Sequence, residues 1–241
     1  DLVDLSSRSC DVIEIPNETL KNFVGGSGLG TWLLLEHCPD SVDPLAPESP
    51  LIFAFSPLVG SPLTTSAKFA VLSKSPLTQR INDSLSSSGF AISGKKCGYD
   101  AIMIVGAADS PTCIAVDGST VRFESADDAW GTSSSNAEQI LGKRLGKGFR
   151  IAAIGPAGEK LVRYATVSHD GRHAGRGGLG AVMGSKMLKA IAVRGTQQTP
   201  FAFPDELISY SRDVSKKSFG PATEKYRELG TVSNLLTFNR L

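Results

Sequence analysis

The chain has 241 residues, 41% of them hydrophobic and 20% charged, with a formal net charge of +1. This length can bury a real core in one large domain or two small ones. The near-neutral balance excludes a global attraction to nucleic acid or to a membrane surface, and no apolar run approaches the roughly 20 residues of a membrane span. The N-terminus carries no basic region ahead of an apolar core, so no signal peptide is expected. Four scattered cysteines, Cys10, Cys38, Cys97 and Cys113, form no C-x-x-C pair. They read as reduced thiols of a cytoplasmic protein and supply no complete zinc or iron–sulfur motif.

In chain order, residues 12–15 are rich in β-branched residues and predict a strand. A helix over 17–23 follows, with Asn17 as its capping candidate, and another over 29–36 after a glycine loop. Strands are expected at 51–55, 69–72, 102–105, 113–116 and 121–124, the last two joined by the hairpin turn Asp117-Gly118-Ser119. A helix over 137–145 carries Ile140, Leu141 and Leu145 at helical spacing. Strands at 151–154 and 161–167 precede a helix that begins near Ala181, with Met183, Met187 and Leu188 on its apolar face. A strand at 190–193 closes the series. Residues 196–200 read as a linker, and 204–217 and 222–229 as a polar helical pair.

Strands outnumber helices and most connections are hairpin-length, which argues against a doubly wound sheet. The expected fold is a β-rich α+β domain over 1–195. Residues 196–241 are a linker and the start of a helical second domain, too short to fold alone. No repeat of fixed period is visible.

The densest run is 170–189, with six glycines together with Arg172, His173, Arg176, Lys186 and Lys189, and no carboxylate after Asp170. Glycines let backbone N–H groups approach a ligand closely, and cations supply charge for phosphate. The run therefore suggests an anionic, phosphate-bearing ligand. Within it, Gly180 to Lys186 approaches a P-loop, but Ser185 precedes Lys186 where the motif needs the reverse order. Residues 25–30 read G-x-G-x-G after a helix-like segment, which is a structural turn or a backbone-donor loop rather than a dinucleotide fingerprint. His169 and His173 stand four apart. They read either as a metal pair on a helix or, given the intervening glycines, as loop histidines that donate hydrogen bonds. The hydroxyl-rich stretch 84–88 reads either as a solvated serine loop or as a loop that binds phosphate or pterin edges. No nucleophile signature or paired carboxylates stand out.

Several segments, taken together and in order, resemble one family. They are 25–30 (GGSGLG), 42–49 (VDPLAPES), 56–60 (SPLVG), 73–78 (SKSPLT), 98–102 (GYDAI), 154–162 (IGPAGEKLV) and 170–193 (DGRHAGRGGLGAVMGSKMLKAIAV). The resemblance is to the N-terminal domain of the aldehyde ferredoxin oxidoreductases, tungsten- or molybdenum-bis-pterin enzymes, and it covers about residues 1–195. It implies two β-sheets related by a pseudo-twofold axis, on which the cofactor lies. It also implies that the pterin dithiolenes hold the metal, with no side-chain ligand, and that a magnesium ion bridges the pterin phosphates against backbone near Leu85 and His173.

By position, the resemblance assigns cofactor contacts to Lys68, Ser84, Ser86 and Ser87, and to Arg172, His173, Ala174, Gly175 and Arg176. Several departures accompany it. Lys68 stands for an arginine, Leu85 for an asparagine and Ser87 for a glycine, His173 falls where a short side chain is usual, and the loop is one residue shorter. The 4Fe-4S ligands, the substrate pocket and the proton-transfer residues are implied to lie in downstream domains. The implied reaction is oxidation of a small aldehyde to its carboxylate with ferredoxin as acceptor. Homo-oligomer formation is a further expectation, and a degenerate, non-catalytic pterin- or phosphate-binding module or subunit is the alternative.

Overall fold

The computed structural model describes residues 1–240. They form two compact units: Asp1–Gly60 with Ala67–Thr199, and Ser61–Ser66 with the residues from Pro200 onward. The first half of the large unit runs β1 (Leu2–Asp4), β2 (Ser9–Asp11), α1 (Asn17–Phe23), α2 (Gly26–His37), β3 (Leu51–Phe55), β4 (Lys68–Lys74), β5 (Ile81–Ser87), α3 (Gly89–Lys95) and β6 (Ala101–Val105). The second half runs β7 (Thr112–Asp117), β8 (Thr120–Ser125), α4 (Ser134–Leu145), β9 (Arg150–Ala153), α5 (Pro156–Glu159), β10 (Val167–His169), β11 (Arg172–Ala174), α6 (Leu179–Ser185) and β12 (Leu188–Arg194).

The strands build two six-stranded mixed sheets, ordered β2-β1-β6-β3-β4-β5 and β11-β10-β9-β12-β7-β8. The two orders are the same path traced twice, with β1 answering to β7, β2 to β8, and so on to β6 and β12. Orientation repeats as well. Only β1–β6 and its counterpart β7–β12 are parallel, and every other neighbouring pair is antiparallel. This is the pseudo-twofold pair of sheets that the resemblance implies. Equivalent strands draw closer along the chain, from Leu2 and Thr112 to Ala101 and Leu188, which is why no fixed period shows.

Alternation along the strands builds three apolar layers. Leu51, Phe53 and Phe55 of β3 join Ile191 and Val193 of β12 in a core that takes residues from both sheets, with Phe90 of α3 and Leu179, Val182 and Met183 of α6. The opposite faces carry Ile52 and Ala54 with Leu29, Leu33 and Leu34 of α2 on one sheet. On the other, Ala115, Ala153, Ala190 and Ala192 join Ala137 and Leu141 of α4. Alanines on that face let α4 approach closely. In the middle, Phe90 packs against Phe69 at 4.8 Å and Phe53 at 5.9 Å between ring centroids.

Several expected elements differ. Residues 12–15 form no strand. β propensity needs a neighbouring strand, and the pairing with β1 ends at Asp11. Residues 161–167 contribute only Val167 to a strand, because left-handed Leu161 (φ 56°) and a turn at 163–164 break the run. Met187, also left-handed (φ 54°), ends the turn after α6, so Leu188 opens β12 rather than facing the core from a helix. Asn17 makes no side-chain cap; Pro16 holds the cap position. The stretch 84–88 is not a loop, since Ser84 to Ser87 belong to β5.

In the smaller unit, α7 (Pro204–Ser218) and α8 (Pro221–Glu228) each open with proline at the first turn, where its missing N–H costs nothing. Ser211 Oγ donates to the Pro62 carbonyl at 2.5 Å, tying the 61–66 segment to α7. Phe203, Tyr210, Phe219 and Tyr226 are exposed. No helix among the described residues is long and apolar enough to cross a membrane.

Candidate anion-binding site between two sheet edges

β5 and β11 end their respective sheets and occupy equivalent places in the duplicated path. They lie beside one another. β5 pairs with β4 along its whole length. Its polar alternation puts Asn82, Ser84 and Ser86 on the face that Phe69 and Val71 of β4 also present to the core, with Ser84 and Ser86 buried. β11 returns from β10 through Asp170-Gly171, both at positive φ (54° and 71°), the twist that a two-residue hairpin favours.

The chain leaving β11 is fastened to side chains of β5 and of the residue that follows β4. The Arg176 N–H donates to Ser84 Oγ at 2.9 Å, and the Arg176 carbonyl accepts from Asn82 Nδ2 at 3.2 Å. Ser75 Oγ donates to the Gly177 carbonyl at 2.7 Å. Gly177 has φ +71°, and a Cβ there would lie 2.1 Å from Asn82 Cγ, so only glycine fits.

Beside this junction is a cavity of about 450 Å³ lined by Asp83, Ser84, Leu85, His173, Gly175 and Arg176. Arg176 is exposed and makes no ion pair among the described residues. The His173 Nδ1 sits 2.7 Å from Ser168 Oγ, which orients the ring, and Ser168 Oγ lies 3.4 Å from Thr166 Oγ1. The one lining carboxylate, Asp83, accepts from Ser27 Oγ of α2 at 2.7 Å. Ser86 Oγ is buried and makes no hydrogen bond among the described residues. A guanidinium, an imidazole and the Ser84 hydroxyl against one engaged carboxylate suit a phosphate-sized anion.

Of the residues expected here, Ser84, His173, Gly175 and Arg176 come together around the cavity, as does Leu85. Lys68 does not line it. It opens β4 opposite Ser87 and is exposed. Arg172 faces His169 across the hairpin, and Ala174 is buried in the core opposite Val167. Asn82, Asp83, Ser27 and Ser75 were not expected. The period-two polar pattern Asn82-Ser84-Ser86 was the available signal, hidden because it reads as a polar loop.

The other motifs resolve structurally. Residues 26–30 lie within α2. Lys186 and Lys189 are fully buried. Lys186 Nζ donates to the carbonyls of Pro47 (2.7 Å) and Gly106 (3.2 Å), and burial pushes its pKa down to about 8. Lys189 Nζ donates to Glu159 Oε1 at 2.5 Å and to the Thr132 carbonyl at 2.9 Å. Two cations of the glycine-rich run are therefore internal fasteners.

His169 and His173 project to opposite faces of their hairpin and cannot share a metal. His169 is buried, with Nδ1 donating to the Ile151 carbonyl at 2.5 Å and Nε2 without a hydrogen-bond partner among the described residues, and burial lowers its pKa. Among the described residues no cluster of His, Cys, Asp and Glu could hold a metal ion. All four cysteines are free. Burial raises the thiols of Cys97 and Cys113 to about 11 and about 12.

Residues 2–195 match the family description "Aldehyde ferredoxin oxidoreductase, N-terminal domain". The chain belongs to this family. It is 41% identical over 217 residues to the tungsten-containing aldehyde ferredoxin oxidoreductase of Pyrococcus furiosus, covering 89% of this chain and 36% of that protein. It is 33% identical over 247 residues to an aliphatic sulfonate oxidoreductase, WOR-like subunit, of the same organism, covering 95% of this chain and 39% of that one. In structure it resembles the active site complex BamBC of benzoyl coenzyme A reductase, with a TM-score of 0.86 and 33% identity over 89% of this chain and 33% of that chain. The chain thus spans about a third of the length of these relatives and matches the family's N-terminal domain.

Proposed function

We propose that this chain is the cofactor-cradling domain of an aldehyde-oxidising oxidoreductase, and that the β5–β11 cavity receives the phosphate end of a tungsto- or molybdopterin. The observation that carries the reading is the union of Arg176, His173 and Ser84 in one cavity, in a family whose relatives are named as tungsten-containing. The bound group would supply the two-electron redox chemistry that turns an aldehyde and water into a carboxylate. The chain's part is to bind and orient. Arg176 offers charge-assisted donors, His173 is oriented by Ser168, and the backbone around Gly175 stays open to close approach.

Lys68, Ser86, Ser87, Arg172 and Ala174 do not line the cavity, and a role for them at the cofactor rests on the resemblance alone; Ala174, fully buried, offers it no surface. Magnesium, if bound, meets backbone near Leu85 and His173. The 4Fe-4S cluster, the aldehyde pocket and the ferredoxin surface belong to downstream domains, which begin with the linker and the helices from Pro204 on. The full protein is a cytoplasmic enzyme and a candidate homo-oligomer. One relative is named for aliphatic sulfonate and one structural neighbour for benzoyl coenzyme A; aldehyde is the class we propose, from the relatives named aldehyde ferredoxin oxidoreductase. Leu85, exposed at the cavity where the resemblance expects an asparagine, favours the second reading, a degenerate pterin-binding module.

The test is metal analysis of the full-length protein from a host that makes the cofactor, with pterin fluorescence after oxidation. Tungsten or molybdenum together with pterin is expected; absence of both metals overturns the proposal. Metal and pterin without aldehyde oxidation would overturn aldehyde as the substrate class while keeping the cofactor-cradling role.

A further inference from the structure

We infer that Asn82 is a positioning residue for anion binding, acting through the backbone of Arg176; the inference rests on the reading of the cavity as a phosphate site. Both backbone polar atoms of Arg176 are held by β5. The N–H goes to Ser84 Oγ at 2.9 Å and the carbonyl to Asn82 Nδ2 at 3.2 Å. Asn82 and Ser84 stand two apart and so share one face of the strand. The Asn82 amide also fills the space that a side chain at 177 would need: its Cγ, Oδ1 and Nδ2 lie 2.1, 2.3 and 2.4 Å from the place of a Gly177 Cβ.

Asn82 and Gly177 are therefore complementary in shape, and the pair fixes the segment that carries Arg176. Arg176 itself has no carboxylate partner among the described residues to hold its side chain. Its backbone anchor is what limits where the guanidinium can reach. A group held in place in advance loses less conformational freedom when a ligand arrives. Asn82 does not line the cavity, so it works by positioning rather than by contact.

The experiment titrates cofactor-free full-length protein with inorganic pyrophosphate by calorimetry. It uses Asn82→Ala, Arg176→Ala and the double variant. A second pair with Asn82→Leu keeps bulk against Gly177 while removing the donor. Asn82→Ala is expected to weaken binding by about three- to tenfold, the size of one lost hydrogen bond. The same change in the Arg176→Ala background should have no further effect, because residues acting through one another are non-additive. Asn82→Leu should behave alike. An equal factor in both backgrounds, or no effect of either Asn82 variant while Arg176→Ala weakens binding, overturns the inference alone. Unchanged binding in Arg176→Ala overturns the phosphate site itself, and this inference with it.

Discussion

Arg176 and Lys189 stand thirteen positions apart in one basic run, yet they meet opposite fates. Arg176 is exposed at a cavity, whereas Lys189 is fully buried against Glu159, which also accepts from the Gly131 N–H at 2.9 Å. Burial lowers the Lys189 pKa, opposed by Glu159. Lys189→Met should leave Glu159 buried without its cation and cost about 3 kcal/mol, read by denaturant unfolding. A change within experimental error would mean that the pair is structurally idle.

His169 makes a pH prediction. Its ordinary value is 6.5 and burial lowers it in the folded chain, so the unfolded chain binds the proton more readily. The neutral ring's contribution is complete above pH 6.5 and is lost as pH falls below that value toward the lowered one. Glu138, raised above 4.5 by burial, works in the opposite sense. His169→Gln should therefore flatten the acid side of the stability curve below pH 6.5, measured by thermal unfolding across pH. An unchanged slope contradicts the assignment. Neither partnership was legible in the sequence, because charge is visible there while burial and the distant partner are not.

At the scale of elements, most strands were legible because β-branched and aromatic runs coincide with paired, two-face-buried strands such as β3 and β7. β5 was not. Its buried face carries hydroxyls and an amide instead of aliphatics, so propensity reads a loop where pairing with β4 makes a strand. Residues 12–15 are the converse case, a good strand composition with no partner.

α6 was legible as a helix but not for its packing. A Cβ at Gly184 would fall 2.0 Å from the Gly158 carbonyl oxygen of α5, a backbone atom that cannot rotate away. Gly184→Ala should cost about 1–3 kcal/mol through overpacking. The check is the unfolding midpoint, and a variant as stable as the parent would show that α5 yields easily.

Across the whole molecule, the duplicated path brings the two segments together. β5 precedes α3 and β11 precedes α6 at equivalent places, and both are sheet edges, so two segments far apart in sequence share one cavity. The glycine-rich run pointed to an anion, and the ordered motifs to the family. The duplication left no repeat of fixed period in the sequence.

The most direct test is metal retention by Arg176→Ala in the full-length protein from a cofactor-producing host, measured as tungsten plus molybdenum per chain beside the parent. A clear loss, with folding intact by circular dichroism, is the predicted result. Parent-like metal content in the variant would contradict the account, because the cofactor would then be held without the cation at the junction of the two sheet edges.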